Sequence, residues 1–355
     1  MKSAKGNTGP ARLCNDIPER GCPSRSRFDL ATRFEVFKGP PVSRSLLRLG
    51  QPRSGERMRR RSFMKRMAVL GAGAIGMLGA EQASAAKRKK RASADVDGII
   101  DTNVSLSRWP FRRLPLDETR KLVARLKSAG VVQAWAGSFD ALLHKNLGAA
   151  NEALVQECQR HGGGLLLPFG TVNPKLPDWQ EELRRCHEKH EMYGIRLFPN
   201  YHGYDLADPE FAKLLAAAES RGLIVQLALS MEDERVQHPL MRVPNVDAAP
   251  LLDLVSKFPA LKVVLLNWFR AVKTDLLTQL AKTNRAWFDI AMVEGVGGIA
   301  NLLREIPAER IVFGSHAPFF YVESAVLKLR ESPLSGRQAK LIERGNANGL
   351  FKVQG

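Results

Sequence analysis

Short apolar runs alternate with amphipathic segments between about Gly98 and Phe351. Eight of these runs are too uniformly apolar for strands with one face in water, so they predict parallel strands that are buried on both faces. They span residues 98–106, 131–139, 165–172, 194–200, 223–230, 261–269, 286–292 and 310–318. Eight strand–helix units in one stretch predict a single (β/α)8 barrel rather than an open doubly wound sheet.

The segments between the runs have the period of amphipathic helices. Four of them cover residues 117–130, 178–192, 208–222 and 275–284. Each begins with an aspartate, a residue type favoured at helix N-caps, and two end with a glycine. The pattern therefore predicts N-caps at Asp117, Asp178, Asp208 and Asp275.

A glycine motif precedes the barrel. Gly71, Gly73 and Gly76 have the spacing of a dinucleotide-binding turn. In such a fold a second strand and a ribose-binding carboxylate should follow, but the basic run 87–91 stands there instead. We therefore reject a nicotinamide or flavin site.

Residues 58–86 have the parts of an export signal. A charged region around Arg60 and Arg61 precedes a weakly apolar stretch at 67–80, and Ala83-Ser84-Ala85 is a small-x-small cleavage site. The apolar stretch is too short for a stable membrane span. Because the arginine pair and the residues after it resemble the twin-arginine motif, the sequence predicts a protein that uses the twin-arginine export machinery and is periplasmic or extracellular.

The predicted barrel and export signal define the other segments of the chain. Residues 1–57 are rich in Arg, Ser, Pro and Gly without a sustained period, so we expect a disordered or mis-annotated extension, with translation starting at Met58. Residues 87–97 form a basic linker, and the barrel covers 98–355. Cys158 and Cys186 lie on predicted helices without metal-type spacing, which indicates neither zinc nor a redox pair.

The charge of the chain is unevenly distributed. The formal net charge is +18, but residues 1–91 hold 22 basic and 6 acidic residues, which leaves 32 basic and 30 acidic residues for the rest. The barrel is therefore nearly neutral, with no basic stripe. This distribution excludes nucleic acid as the expected partner and favours a small-molecule substrate.

Chemistry in barrels of this type lies at the carboxyl ends of the strands. Polar side chains are concentrated at those ends here, so the sequence predicts a polar ring around one mouth. Its members are Asp101, Asn103, Ser105, Asn173, Arg196, Asn200, His202, Ser230, Glu232, Asp233, His238, Asn267, Asp289 and His316. Period-two alternation places the first three on one face of the first strand.

Several segments resemble the amidohydrolase superfamily, most closely the amidohydrolase-related branch that includes aromatic-acid decarboxylases and lactone hydrolases. Residues 99–105, Ile-Ile-Asp-Thr-Asn-Val-Ser, are similar to its first-strand Asp-x-His-x-His pattern. Residues 194–206 stand at its fourth strand, 314–319 at its Gly-Ser-Asp segment, and 346–351 at its usual ending. The resemblance implies a barrel hydrolase that uses a divalent metal.

The ligands that the resemblance implies are replaced. The family holds one or two metals through two first-strand histidines, histidines after strands five and six, and an eighth-strand aspartate. The corresponding residues here are Asn103, Ser105, a position near Ser230, Asn267 and His316. Amide and hydroxyl oxygens are weak zinc ligands, so we do not expect a family-type metal site.

Other residues are candidates for the chemistry. Imidazole titrates near neutrality, so His316 is a candidate general acid or base, with a purely structural histidine as the alternative. Glu232 and Asp233 are candidates for carboxylate chemistry, or for a rebuilt metal site with His316 and His202. Their alternative is a solvated loop that is paired with Arg235.

Arg196 is a candidate for holding a substrate carboxylate, and its alternative is an ion pair with Asp101 or Asp289. His202 has the alternative of ordering its loop by a hydrogen bond. The complete candidate set comprises the catalytic residues His316, Asn103, Ser105, Glu232 and Asp233 and the substrate-binding residues Arg196, Asn200, His202 and Asn267.

Two functions remain open. The first is an exported hydrolase, or a related decarboxylase or lyase, that acts on a small carboxylated molecule. It requires His316 and a carboxylate to converge within about 3 Å. The second is a catalytically inactive barrel that binds a small molecule or a partner. It requires a mouth without such convergence. The dense polar ring favours the first.

Overall fold

The structure is a computed structural model that describes residues 97–351. The predicted extension, the export signal and nearly all of the linker lie outside the described residues. Eight parallel strands follow one another, and each lies within one of the apolar runs that predicted it. They are β1 Ile99–Leu106, β2 Val131–Ser138, β3 Leu166–Pro168, β4 Gly194–Leu197, β5 Ile224–Ala228, β6 Lys262–Leu266, β7 Ala286–Asp289 and β8 Ile311–Val312.

The strands form a closed barrel with two seams. One sheet has the order β1-β2-β3 and the other β4-β5-β6-β7-β8. A parallel bridge between Gly170 and Ile195 joins β3 to β4, and another between Val104 and Ala317 joins β1 to the chain after β8. The predicted (β/α)8 barrel is confirmed.

Helices surround the barrel and connect the strands. They are α1 Thr119–Ser128, α2 Leu147–His161, α3 Trp179–Arg184, α4 Pro199–His202, α5 Pro209–Ser220, α6 Leu251–Lys257, α7 Thr274–Lys282, α8 Gly298–Leu302, α9 Val322–Glu331, α10 Gly336–Lys340 and α11 Asn346–Leu350. Within the described part of the chain, none of them combines the length and the apolar character that crossing a membrane requires.

The predicted helix caps are only partly right. Asp208 caps α5 by accepting a hydrogen bond from the Glu210 amide at 2.9 Å. Asp178 precedes α3 without a side-chain cap bond, and Asp275 lies inside the first turn of α7. The prediction of Asp117 as an N-cap is wrong, because the N-cap of α1 is Glu118 and Asp117 lies one residue earlier, where its carboxylate pairs with Arg113.

The lower barrel interior is apolar. Trp135 on β2 stacks on Phe169 with ring centroids 4.8 Å apart, and Phe351 after α11 packs edge-on against the same tryptophan at 5.3 Å. Ala347 and Leu350 of α11 belong to this interior cluster. Helix α11 therefore helps to fill the barrel. Among residues 97–351, Cys158 and Cys186 are free thiols that are buried on the surrounding helices, as the sequence predicts.

A buried arginine crosses the barrel above this apolar layer. Arg196 on β4 is 1% exposed. Its Nε donates to Gln226 Oε1, on the neighbouring strand, at 2.8 Å. The Nη1 atom donates to the Val104 carbonyl at 2.8 Å and to Ser105 Oγ at 3.2 Å. These bonds link β4 and β5 to β1.

The second terminal nitrogen of Arg196, Nη2, makes the two remaining hydrogen bonds of the guanidinium. Arg196 Nη2 donates to the carbonyls of Thr102 and Trp135 at 3.3 and 3.0 Å. A guanidinium carries five N–H donors, and all five are used inside the barrel. Burial lowers the pKa of Arg196 to about 9, while the charges of Asp101 and Asp289 act in the opposite direction. The side chain therefore remains a cation at neutral pH and joins the two sheets across the barrel.

Room for this cation comes from a glycine on β2. A Cβ added at Gly137 would lie 2.8 Å from both the Cδ and the Nη1 atoms of Arg196. Since real Cβ atoms do not approach so closely, any larger residue must displace the guanidinium from its acceptors.

We predict that Gly137→Ala lowers the free energy of unfolding by about 1–3 kcal/mol, because it overpacks a fully bonded side chain. Gly349→Ala is the matched control, since an added Cβ there meets nothing within 4 Å. Urea unfolding of the two variants and the wild type measures the effect. Equal stability of both variants would contradict the role given to Gly137.

Candidate functional site

The polar residues at the C-terminal mouth are bonded mainly to one another. Asn103 Nδ2 donates to Asn267 Oδ1 at 2.9 Å and to Asp289 Oδ2 at 2.7 Å. The backbone amide nitrogen of Asn267 donates to Asp289 Oδ1, the other carboxylate oxygen, at 3.1 Å. Both carboxylate oxygens of Asp289 are therefore occupied by neighbours.

His316 is the next member of this network. Its Nε2 lies 2.9 Å from the Met231 carbonyl oxygen, which can only accept, so Nε2 carries the proton. Asn267 Nδ2 donates to the Ser230 carbonyl at 2.8 Å and lies 3.3 Å from His316 Nδ1, which therefore accepts. Both ring nitrogens are engaged, and neither contacts a carboxylate among the described residues.

Backbone geometry supports this arrangement. Asn267 and His316 have φ angles of 56° and 58°, in the left-handed region that few residues other than glycine adopt. At Gly314 an added Cβ would lie 2.9 Å from the Asp289 Cβ and 3.1 Å from the Asn103 Cβ. A side chain at position 314 would therefore separate Asn103 from Asp289.

Burial determines the ionisation of these groups. It lowers the pKa of His316 to about 4, despite the opposing hydrogen bond to Met231, and the Arg196 charge adds to this lowering. His316 is consequently neutral at neutral pH, with its basic nitrogen bonded to an amide. A free general base is not available at this histidine.

The pKa values of two buried carboxyl groups are raised rather than lowered. Burial raises the pKa of Asp289 to about 7 and that of Asp101 to about 6, against hydrogen bonds that lower both values. Asp101 Oδ1 accepts from the backbone amides of Asn103 and Ser315 at 3.0 and 2.9 Å. Its Oδ2 is buried without a hydrogen-bond partner.

The divalent metal implied by the family resemblance does not fit these residues. Within residues 97–351, no three His, Cys, Asp or Glu side chains are grouped so that they could hold a metal ion. Both oxygens of Asp289 and both nitrogens of His316 are already bonded, and a single open oxygen on Asp101 is not a ligand set. The Arg196 cation, close enough to influence both aspartates and His316, further disfavours a second cation.

Beside this closed network lies an open cleft of about 1010 Å³. The loops after β1, β5, β6, β7 and β8 line it, so it lies at the same C-terminal face. Its charged lining residues are Arg112, Glu232, Asp233, Glu234, Arg235, Arg270, Glu294 and Lys328. The apolar lining includes Met231, Met292, Val293, Phe319 and Phe320.

The Phe319 ring lies between the network and the cleft. One face of this ring stacks on His316, with centroids 4.7 Å apart and planes 12° from parallel. The Arg112 guanidinium lies over the Phe319 ring, 5.5 Å from its centroid. Trp109 packs edge-on against Phe319 at 4.7 Å. The cleft therefore has an aromatic wall with a cation against it.

Glu232 is the buried carboxylate of the cleft. Its side chain is 3% exposed, and its Oε1 pairs with Nη1 of Arg112, which is 45% exposed. Burial, with the Glu232 charge as a second cause, raises the pKa of Tyr201 above its usual range. The sequence interpretation that paired this loop with Arg235 holds for Asp233, whose Oδ2 lies 2.7 Å from Arg235 Nη2, but not for Glu232.

The other candidate residues have structural contacts. Ser105 Oγ accepts a hydrogen bond from Arg196 Nη1. The ion pair of Arg196 with Asp101 or Asp289 that the sequence suggested is not formed, and the guanidinium instead donates hydrogen bonds to neutral acceptors. Asn200 Nδ2 donates to the Pro244 carbonyl. His202 Nε2 lies 2.9 Å from the Ala141 carbonyl, which matches the loop-ordering alternative. The catalytic and substrate-binding roles remain predictions.

Sequence reasoning missed Arg112, Phe319 and Arg270. Arg270 bridges Asp233 and Glu294 at 2.7 Å each across two loops. All three residues lie in loops, where no hydrophobic period identifies a buried face. The position of Arg112 soon after the first strand was the one available signal, since loops after barrel strands form the mouth.

We predict that Asp289→Asn gains stability relative to the wild type as the pH rises. The folded-state pKa of the Asp289 carboxyl is raised to about 7, so its protonated form stabilises the folded protein at low pH. This stabilisation is lost as the pH rises through about 7, where the carboxyl ionises while still buried. The difference in unfolding free energy should shift towards the variant by about 1 kcal/mol or more between pH 4 and 8. Asp101 and His316 titrate in both proteins, and because the Asp101 charge contributes to raising the pKa of Asp289, the comparison measures the Asp289 carboxyl group together with its coupling to Asp101.

Urea unfolding at a series of pH values measures that difference. Parallel stability curves for the two proteins would contradict the shifted titration of Asp289.

Comparisons with known proteins agree with the fold. The amidohydrolase family model matches residues 138–352. No curated protein matches the chain. A 2,6-dihydroxybenzoate decarboxylase from Rhizobium has a TM-score of 0.58 and 15% identity, covering 73% of this chain and 100% of its own.

Two further solved structures are similar. A 5-carboxyvanillate decarboxylase from Sphingomonas paucimobilis has a TM-score of 0.55 and 14% identity, covering 72% of this chain and 99% of its own. A dihydroxybenzoic acid decarboxylase from Polaromonas, solved with bound manganese and 2-nitroresorcinol, has a TM-score of 0.58 and 16% identity. It covers 73% of this chain and 98% of its own. Together with its barrel fold, the family match over residues 138–352 establishes that this chain belongs to the amidohydrolase family, in its amidohydrolase-2 branch.

Proposed function

We propose that this barrel binds a small carboxylated aromatic molecule in the mouth cleft and does not use the metal-assisted chemistry of its family. The observation that carries the proposal is the closed network of Asn103, Asn267, Asp289 and His316. His316 is neutral, has both nitrogens bonded and meets no carboxylate. This is the arrangement that the inactive-barrel alternative requires.

The cleft supports the ligand class. Its wall of Phe319 and Phe320 suits a flat ring, since aromatic pairs gain from stacked and edge-on contact. Arg112 adds a fork of donors that matches a carboxylate. The similar structures act on dihydroxybenzoate and carboxyvanillate, which are aromatic acids. We extend that class of molecule, but not the reaction, to this chain.

A second candidate is a metal-independent decarboxylase, lyase or hydrolase that works in the same cleft. The observation that favours it is Glu232, a carboxylate that lines the cleft while its side chain is 3% exposed. Such a group is a candidate proton donor or acceptor for a bound acid. Asp233 is less suited to this role because Arg235 and Arg270 both hold its charge.

The export signal belongs to the same proposal. With the signal at residues 58–86 removed, the barrel would work outside the cytoplasm, in the periplasm or the medium, as a carrier or sensor of such acids. N-terminal sequencing of the protein from the extracytoplasmic fraction tests this part. A mature N-terminus near Lys87 is the expected result, whereas an intact precursor in the cytoplasm would exclude it.

We expect 2,6-dihydroxybenzoate to bind the full-length protein with one site per chain in isothermal titration calorimetry, without release of carbon dioxide. Phe320→Ala should weaken binding roughly 2- to 10-fold, since it removes an aromatic contact from the cleft. Leu327→Ala is the matched control, because this α9 residue is 60% exposed and outside the cleft. Turnover of the acid would favour the second candidate, and absence of binding would exclude both.

A further inference from the structure

Resting on the function proposed above, we propose that the ligand carboxylate replaces Glu232 at the Arg112 guanidinium and that Glu232 takes up one proton in the exchange. Arg112 thereby selects acids over neutral rings of the same shape, and binding becomes linked to pH. The balance is simple: one carboxylate enters, the Arg112–Glu232 ion pair opens, and a proton from solvent joins Glu232.

The exposures of the two partners support an exchange. Arg112 is 45% exposed on its loop, whereas the Glu232 side chain is 3% exposed. The arginine can therefore turn towards a ligand in the cleft, but the carboxylate cannot turn into water. The energetic cost of opening the pair therefore falls on the buried Glu232, because water can solvate the half-exposed Arg112.

The same exposures give the reason for proton uptake. A buried carboxylate without a partner is strongly unfavourable and becomes neutral instead. The other cations that line the cleft are already engaged: Arg235 and Arg270 both contact Asp233, and Arg270 also holds Glu294. Lys328 donates to the carbonyls of Ile290 and Ala291 at 2.8 Å each.

The remaining titratable neighbours do not supply the missing charge. Tyr201 is neutral, because burial, with the Glu232 charge as a second cause, raises the pKa of its hydroxyl. On its own loop Glu232 is followed by Asp233 and Glu234, which carry the same sign. His238 stacks on Phe111, 6.0 Å between centroids, rather than on the carboxylate. Protonation is therefore the route by which Glu232 loses its charge.

Phe319 fixes where the exchange takes place. The Arg112 guanidinium already lies over this ring, 5.5 Å from its centroid. A ligand ring against Phe320 and the apolar wall would bring its carboxylate to the open side of the same guanidinium. A planar acid satisfies both contacts, whereas a neutral ring satisfies one.

The test uses titration calorimetry on the full-length protein in two buffers of different ionisation enthalpy, which counts protons taken up on binding. The probes are 2,6-dihydroxybenzoate and resorcinol, the same ring without the carboxylate. We expect uptake close to one proton for the acid and none for resorcinol. Because binding takes up a proton, the affinity of the acid should fall as the pH rises.

Variants separate the two partners. Glu232→Gln should abolish proton uptake, flatten the pH dependence and tighten binding of the acid at pH 7 by roughly 10- to 100-fold, since no charge has to be neutralised. Arg112→Met should weaken the acid roughly 10- to 100-fold and leave resorcinol unchanged. Because Arg112→Met strands Glu232, the double variant Arg112→Met, Glu232→Gln provides a folded alternative with the same expected loss.

The control is Arg113→Met, a neighbour in the same loop whose side chain pairs with Asp117 outside the cleft. It should bind the acid as the wild type does. Binding of the acid without proton uptake, or equal losses in Arg112→Met and Arg113→Met, would overturn the exchange but leave the proposed function intact. Failure of the acid to bind the wild type would overturn both.

Discussion

The buried Arg196 guanidinium is the interaction on which the rest of the barrel depends. Taking a charge out of water costs several kcal/mol, which only well-aligned acceptors and opposite charges can offset. Here five acceptors on β1, β2 and β5 surround the cation, and Asp101 and Asp289 lie within electrostatic range. Gly137 leaves the space for it. The same bonds join the two sheets.

The closed mouth follows from this centre. The Arg196 cation interacts favourably with the charges of Asp101 and Asp289, and the side chain of Asn103 donates to both Asn267 and Asp289 at the mouth. His316 is held neutral between an amide and a carbonyl. The adjoining cleft, across Phe319, presents the half-exposed cation of Arg112 paired with the buried carboxylate of Glu232.

Sequence patterns predicted the barrel and the members of the network better than their roles. The eight apolar runs identified every strand within residues 97–351, because burial on both faces leaves a strong hydrophobic signal in each one. The family resemblance predicted amides in place of ligand histidines at Asn103 and Asn267, and the structure shows these two side chains hydrogen-bonded to each other. The acceptors of Arg196 were not, because three of them are backbone carbonyls from other strands. Arg112 was missed because loop residues have no period, and the pairing of Glu232 is set by tertiary contact alone.

The most direct test of the account is the metal content of the full-length protein, purified without an affinity tag or chelator from medium that contains manganese and zinc. Plasma mass spectrometry on the wild type and on His316→Ala should find far less than one ion per chain in both. Thermal unfolding of the wild type should not change on treatment with EDTA. About one manganese or zinc ion per wild-type chain, lost in His316→Ala, would contradict the claim that a closed hydrogen-bond network replaces the metal.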